Sequence, residues 1–164
     1  MKARLATPQD AEAIAHIYNL GIDERVATYE TKHRTPDDIL TWFDGKHPVV
    51  VVENDTGKVI AFASTSSYRP RACYDGIAEY SVYVDSTARS KGIGRLTMQA
   101  LIDAARNAGF WKLVSRIFPE NQASLALMKS LGFREVGLYE KHSKLDGVWR
   151  DVVIVELLIE ENLK

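Results

Sequence analysis

Apolar residues recur along the chain at spacings typical of short strands and amphipathic helices. Residues 2–6 alternate weakly and predict a first strand, after which Thr7 is suited to cap a helix. The apolar face of that helix consists of Ala11, Ile14, Ala15, Ile17 and Tyr18. We expect the helix to end at Gly21, a loop without a clear period to span residues 23–34, and a second helix to begin at Thr35.

The rest of the chain alternates between strand and helix patterns. Residues 49–53 and 58–66 are runs of β-forming residues around Asn54-Asp55-Thr56-Gly57, which predicts a hairpin. The remaining predicted elements are strands over residues 77–84, 112–118, 133–139 and 148–158, and helices over residues 91–108 and 119–131. The resulting order is β-α-α-β-β-β-α-β-α-β-β, which predicts an α+β fold with a mixed sheet.

Composition narrows the class of protein. The chain has 164 residues, a net charge of -1 and 46% hydrophobic residues, so we expect one domain over residues 1–164. The near-zero charge argues against broad electrostatic binding of nucleic acid, and apolar runs such as Val49 to Val52 are far too short to span a bilayer. The N-terminus lacks the apolar segment of a secretion signal, and Cys73 is the one cysteine. We therefore expect a cytoplasmic protein without a metal site and without nucleic-acid or membrane partners.

A strand-to-helix turn carries the clearest candidate chemistry. The strand that ends at Val84 is followed by Gly92-x-Gly94, where the long helix begins. The basic residues of this segment are Arg89, Lys91 and Arg95. The first amides of a helix lack intrahelical partners and favour anions, and glycine allows a phosphate to approach the backbone. We interpret the segment as a pyrophosphate site; a turn that needs glycine for its geometry alone is the alternative.

This segment, Arg89-x-x-Gly92-x-Gly94, resembles the acetyl-CoA motif of the GCN5-related N-acetyltransferases (GNAT). Asn121-x-x-Ser124 is similar to their second coenzyme-binding helix, and Tyr68-Arg69-Pro70 and Trp149-Arg150-Asp151 extend the resemblance to the phosphinothricin (methionine sulfoximine) acetyltransferases. The resemblance implies the GNAT fold, a mixed and mostly antiparallel sheet flanked by helices, with acetyl-CoA as co-substrate. It implies coenzyme contacts from Val82, Tyr83, Val84, Arg89, Ser90, Lys91, Gly92, Ile93, Gly94, Arg95, Asn121 and Ser124.

Glu79 is the candidate general base. It lies within an apolar predicted strand, where a carboxylate is costly unless it has a role, and acetyl transfer requires an ammonium to lose its proton. The resemblance implies the same role, acting through water; an exposed glutamate on an edge face is the alternative. Backbone amides near residues 82–83 are candidates to stabilise the oxyanion of a direct transfer. We interpret Cys73 as a packing or loop residue.

The residue that protonates the leaving thiolate is not assigned. The resemblance implies a tyrosine or histidine at the position of Met128, and methionine cannot donate a proton. A thiolate is a tolerable leaving group because the thiol pKa is about 8.5. Tyr139 and His142 are candidate substitutes whose positions the sequence does not predict.

The acceptor pocket is predicted from the loop before the candidate base. Arg69 and Arg71 flank Pro70 and suit a carboxylate or phosphinate, because a guanidinium allows paired hydrogen bonds. For each arginine, a solvated surface charge is the alternative. Tyr29 and Tyr74 are candidate apolar walls.

The predicted function is acetyl-CoA-dependent N-acetylation of a small acidic amino acid analogue such as phosphinothricin or methionine sulfoximine. The alternatives are acetylation of another amine (an ordinary amino acid, a polyamine or a protein N-terminus) and non-catalytic sensing of acyl-CoA. The resemblance also implies a homodimer, in which the hairpin that carries Arg150 lies near the neighbouring subunit's pocket. Relatives usually have leucine or histidine at this position, and our hypothesis is that the extra cation alters substrate choice.

Overall fold

The computed structural model describes residues 1–89 and 92–164. Its helices and strands follow the predicted order. They are β1 (Lys2–Leu5), α1 (Ala11–Glu24), α2 (Pro36–Leu40), β2 (Val49–Glu53), β3 (Val59–Ser67), β4 (Ile77–Val84), α3 (Ile93–Asn107), β5 (Lys112–Ile117), α4 (Gln122–Ser130), β6 (Arg134–Leu145) and β7 (Val148–Leu158). The α+β fold class is therefore confirmed.

The seven strands form one mixed sheet in the order β1-β2-β3-β4-β5-β7-β6. All neighbouring pairs are antiparallel except β4 and β5, which run parallel. The parallel pair is short: Ile77 lies opposite Lys112, and the pairing stops at Glu79 opposite Val114. Beyond this point β4 and β5 separate, which opens a gap in the middle of the sheet.

Helices cover the two faces of the sheet unequally. Side chains that alternate along a strand point to opposite faces. On one face, Ala78, Leu113 and Val155 belong to a core with residues of α3 and α4. On the other face, α1 and α2 pack against β2, β3 and Tyr83 of β4. In the described parts of the chain, this second face has no helix over β5, β7 and β6, and a cavity lies there instead.

The predicted end of the first helix at Gly21 is wrong. The helix continues to Glu24 and ends where Arg25 adopts a left-handed conformation with φ 59°. Gly21 has a packing role: a Cβ at this position would lie 2.6 Å from Cδ1 of the buried Tyr83 ring. Glycine is therefore required here for close approach of an aromatic ring and not for helix termination.

Two other predicted boundaries shift. The fourth helix begins at Gln122 and not at residue 119, because Asn121 caps it by accepting a hydrogen bond from the Ser124 backbone N–H. The sixth strand continues to Leu145, well beyond the predicted end at residue 139. Within residues 1–89 and 92–164, no helix has the length and apolar content required to cross a membrane.

Candidate active site

The gap between β4 and β5 forms a narrow cleft of about 80 Å³. Its lining residues are Ala27, Tyr80, Ser81, Val82, Tyr83, Ser115, Arg116, Ile117, Phe118, Asn121 and Ser124. The Ser115 hydroxyl donates a hydrogen bond of 2.9 Å to the Tyr80 carbonyl, and so spans the two strands where backbone pairing has ended. Val82 and its neighbours pair with β3 on one side, and no described strand pairs with their other side. Their backbone is available to an extended ligand.

The N-terminus of α3 follows β4 closely in the chain. Gly92 precedes the helix with φ 74°, a left-handed conformation that glycine adopts without strain, and a Cβ there would meet no heavy atom of the described residues within 4 Å. The first amides of α3, those of Ile93, Gly94 and Arg95, have no intrahelical acceptors and favour an anion. The predicted contacts at Ser90 and Lys91 lie outside the described residues.

The arginines predicted for the pyrophosphate already have protein partners. Both Nη atoms of Arg89 donate to the carboxylate of Glu24 at 2.6 Å, and this interaction raises the pKa of the Arg89 guanidinium. Arg95 donates to the Ser130 hydroxyl at 2.7 Å and so joins α3 to α4. The Arg89 pair is partly exposed, with 44% of the arginine side chain accessible, so a bound anion could compete for the guanidinium.

Asn121 and Ser124 both line the cleft. The Asn121 side chain accepts the Ser124 backbone N–H at 3.3 Å and donates from Nδ2 to the Val26 carbonyl at 3.5 Å. A helix-capping role for Asn121 is thus present in the structure. Its role as a coenzyme contact stays a prediction.

A second cavity, of about 430 Å³, lies on the sheet face that α1 and α2 leave open. Its lining residues are Tyr68, Arg69, Ile77, Glu79, Lys112, Val114, Ser115, Arg116, Val136, Tyr139, His142, Ile154 and Glu156. Ser115 and Arg116 also line the narrow cleft, so the cavity and the cleft meet at the point where β4 and β5 separate.

Glu79 lies at this junction. Its side chain is 34% exposed, and Oε1 is 3.6 Å from Nη2 of Arg116. The other carboxylate of the cavity, Glu156, is engaged more closely by Arg134 at 2.8 Å and Lys112 at 3.1 Å. Those contacts, with Arg134 first, lower the pKa of Glu156. Glu79 is therefore the carboxylate of this cavity that is less committed to protein partners.

The four predicted acceptor residues do not all meet in this cavity. Arg69 lines it, with its guanidinium 5.0 Å from the centre of the Tyr68 ring, and Tyr74 packs edge-on against the same ring. Arg71 is exposed and is not a lining residue. Tyr29 packs against Phe118 on the same sheet face and is likewise absent from the lining.

Three further residues that the sequence analysis named are absent from the linings of the cleft and the cavity. The Arg150 guanidinium lies 4.3 Å from the centre of the Phe118 ring and 3.2 Å from the Glu120 carboxylate. The backbone carbonyl of Arg150 accepts a hydrogen bond from the Tyr29 hydroxyl. Met128 is 1% exposed and packs in the core with Tyr80. It therefore fills space beneath the sheet. Cys73 is exposed on the loop before β4.

The structure adds residues that the sequence reasoning missed or could not position. Tyr139 and His142 both line the cavity with Glu79. Arg116 was not predicted as a site residue, although its alternation with Lys112 and Val114 places all three on one face of β5. In the described parts of the chain, no group of three or more His, Cys, Asp or Glu side chains is arranged to hold a metal ion.

The fold and the site together define a class of protein. The parallel strands β4 and β5 separate beside a carboxylate, and the helix between them in the chain, α3, follows Gly92 of the Gly-x-Gly segment that resembles the acetyl-CoA motif. The chain belongs to the acetyltransferase (GNAT) family, whose family model matches residues 13–133.

Similar proteins of known sequence and structure agree with this assignment. The Bacillus subtilis protein YwnH, assigned provisionally as a phosphinothricin acetyltransferase, is 37% identical over 158 residues, which cover 94% of this chain and 97% of YwnH. An L-methionine sulfoximine/L-methionine sulfone acetyltransferase from Pseudomonas aeruginosa is 32% identical, with 92% and 90% covered. The crystal structure of a phosphinothricin acetyltransferase from Sinorhizobium meliloti in complex with acetyl-CoA superposes with a TM-score of 0.89 at 29% identity, with 96% and 87% covered.

Proposed function

We propose that the protein transfers an acetyl group from acetyl-CoA to the amino group of a small acidic amino acid analogue, such as phosphinothricin or methionine sulfoximine. One observation carries the proposal: β4 and β5 separate directly after Glu79, so that this carboxylate lies between a narrow cleft and a cationic cavity. The relatives named above support the same class of acceptor.

The residues around the cleft fit the coenzyme. The free backbone side of Val82 to Val84 would pair with the extended pantetheine arm, and the open N-terminus of α3 from Gly92 to Arg95 would hold the pyrophosphate. Asn121 and Ser124 would contact the coenzyme from the opposite wall. Bound there, acetyl-CoA supplies an activated thioester to the amine. A pairing of this kind uses the backbone of β4, which leaves the Tyr83 ring in the core that it forms with α1.

Glu79 would receive the proton that the acceptor ammonium must lose before it can attack. Glu79 is the last residue of β4 that pairs with β5, and its side chain lines the cavity. The amine and the thioester can therefore both approach it from the gap between the two strands. Backbone amides near residues 82–83 would stabilise the oxyanion that forms on the acetyl group. The transfer is direct: the amine nitrogen bonds to the acetyl carbon, the carbon–sulfur bond breaks, and no covalent bond to the protein forms. Coenzyme A leaves as a thiolate, which is tolerable because the thiol pKa is about 8.5.

The charges of the cavity favour an anionic acceptor. Among residues 1–89 and 92–164, Arg69 forms no ion pair within 4.0 Å, and Arg116 has its one ion-pair contact with Glu79 at 3.6 Å. These two guanidiniums are suited to bind a carboxylate by paired hydrogen bonds. A polyamine would require uncommitted carboxylates, and Glu156 is already neutralised by Lys112 and Arg134.

The proposal is tested by thiol release from acetyl-CoA with a panel of acceptors. The panel contains phosphinothricin, methionine sulfoximine, methionine sulfone, ordinary amino acids, spermidine and a short peptide. We expect rapid release with the first three compounds only. Release confined to spermidine or the peptide would refute the acceptor class and retain the coenzyme site, whereas acetyl-CoA binding without turnover would favour a sensor. The homodimer is also part of the proposal, and sedimentation velocity measures it.

A further inference from the structure

Strand β6 contributes to the acceptor cavity in an unusual pattern. Its lining side chains are Val136, Tyr139 and His142, spaced three residues apart. In a regular strand, side chains two residues apart share a face and side chains three apart do not. The register between β6 and β7 is broken twice, once around Val136 and once between Tyr139 and Ser143. These bulges bring the three side chains to one face of the sheet.

The second bulge is held by a specific contact. Three residues, 140–142, lie opposite the single residue Asp151 of β7. Lys141, at the centre of the bulge, has φ 48°, a left-handed conformation that lysine rarely adopts. Its backbone N–H donates to Oδ1 of Asp151 at 2.7 Å. Asp151 therefore stabilises a strained backbone, and bulges of this kind commonly redirect a side chain next to an active site.

The result of the bulge is a pair of rings at the mouth of the cavity. The rings of Tyr139 and His142 lie 4.9 Å apart between their centres, tilted by 30°. Both residues are exposed, and both also line a shallower depression outside the cavity together with Leu138 and Glu140. A ligand that extends from Glu79 toward solvent on this side must pass these two rings.

We infer that Tyr139 and His142 bind the distal, tetrahedral end of the acceptor, and that Asp151 is a positioning residue that acts through the bulge. This inference rests on the proposed function and deepens it. The acceptor's amino group must reach Glu79, and its α-carboxylate, attached to the same carbon, then stays near Arg116. The remaining part extends to the cavity mouth. The Tyr139 O–H and a His142 N–H can donate to phosphinate, sulfoximine or sulfone oxygens there.

The test compares two acceptors that differ at the distal end. L-Methionine sulfone carries the tetrahedral oxygens and L-methionine does not. Affinity is measured as KM, or as Ki against phosphinothricin for a compound that turns over slowly. In His142→Ala and in Tyr139→Phe we expect affinity for the sulfone to fall about tenfold or more, while the affinity for methionine changes by less than about twofold. Lys144→Ala, an exposed change on the same hairpin, is the control.

The positioning role of Asp151 has its own rescue experiment. Asp151→Ala should lower the sulfone preference as His142→Ala does, because Lys141 then loses the contact that holds its left-handed backbone. Adding Lys141→Gly should restore most of the preference, since glycine adopts this conformation without strain. Thermal melting shows that each variant is folded. Failure of the rescue in a folded double variant would overturn the positioning role.

The possible failures are distinguishable. If the wild-type protein acetylates phosphinothricin and the sulfone but the His142 and Tyr139 variants keep the wild-type preference, the inference is wrong and the proposed function stands. An equal loss of kcat with every acceptor would also overturn it, because the residues would then act in the chemical step. If the wild-type protein acetylates none of the acidic analogues, both the proposed acceptor class and the inference are wrong.

Discussion

Substitution of Glu79 by glutamine is the sharpest test of the proposed chemistry. Glutamine has nearly the same size as glutamate but cannot accept the ammonium proton at neutral pH. The side chain is 34% exposed and its ion-pair contact, to Arg116, is long at 3.6 Å, so we expect little loss of stability. Loss of a positioned general base typically lowers the rate about 100- to 10,000-fold, and we expect kcat to fall within that range.

The pH dependence of the Glu79→Gln variant separates two contributions to this loss. At a pH below the pKa of the acceptor ammonium, the neutral fraction of the amine rises about tenfold for each pH unit. Without the base, the enzyme depends on amine that has lost its proton in solution. We therefore expect kcat/KM of the variant to rise about tenfold per pH unit until the pH approaches the pKa of the acceptor ammonium, while the remaining deficit reflects the missing proton acceptor.

The assay is thiol release from acetyl-CoA with phosphinothricin as acceptor, combined with isothermal titration of acetyl-CoA. Coenzyme affinity should stay within about twofold of wild type, since the predicted coenzyme contacts do not include the Glu79 side chain. Glu12→Gln, an exposed change on α1, is the matched control and should leave both measurements unchanged. A Glu79→Gln variant with a rate within threefold of wild type at pH 7 would refute the assignment of the base.

Three further predictions concern the coenzyme site and the fold. Glu24→Gln frees the Arg89 guanidinium, and we expect acetyl-CoA to bind about two- to fivefold more tightly in isothermal titration. Asp10→Asn removes a buried carboxylate that accepts two hydrogen bonds from Arg4, which should lower the free energy of unfolding in urea by about 1–3 kcal/mol at pH 7. Because the Arg4 hydrogen bonds lower the pKa of Asp10, this stabilisation is complete above the unfolded value near 4 and is lost as the pH falls through the folded value. Gly21→Val would place a Cβ 2.6 Å from a buried aromatic ring and should cost about 1–3 kcal/mol in the same urea titration.

Each of these predictions has a control or a contradicting result. Weaker acetyl-CoA binding in Glu24→Gln would mean that the ion pair organises the site and does not compete with the coenzyme. A stability difference between wild type and Asp10→Asn that persists undiminished at pH 2 would contradict the ionic origin of the effect. Gly137→Val is the control for Gly21→Val, since a Cβ at Gly137 meets no heavy atom within 4 Å; equal losses in the two variants would refute the packing argument.

Local patterns were sufficient for most of the fold. The capping sequence at Thr35 and the turn after Asn54 are decided within a few residues, and the structure has both features where they were predicted. The role of Gly21 was misinterpreted because glycine is needed there to leave room for the ring of Tyr83, a residue 62 positions away in the chain. No local pattern shows that an aromatic ring will pack against a helix at a particular glycine.

The candidate site was predictable only in part for a related reason. Sequence alternation placed Glu79 on a strand, but whether that strand loses its neighbour at this residue depends on the pairing of β4 with β5. The same limit applies to Tyr139 and His142. Their spacing of three residues would place them on opposite faces of a regular strand. Only the register of β6 with β7 shows the bulges that bring them together.

The three residue pairs that join β4 to β5 have a consequence for the dynamics of the molecule. They are the backbone ladder between a four-stranded half-sheet, β1 to β4, and a three-stranded one, β5, β7 and β6. Beyond Glu79 on β4 and Val114 on β5, backbone amides that face the gap have no partner strand. Their exchange with solvent deuterium therefore reports local opening between β4 and β5. A ligand that pairs with Val82 to Val84 would act as a substitute strand and slow the exchange of the β4 amides that it pairs with. Occupancy of the cleft can thus be measured by hydrogen exchange with no acceptor present and no turnover.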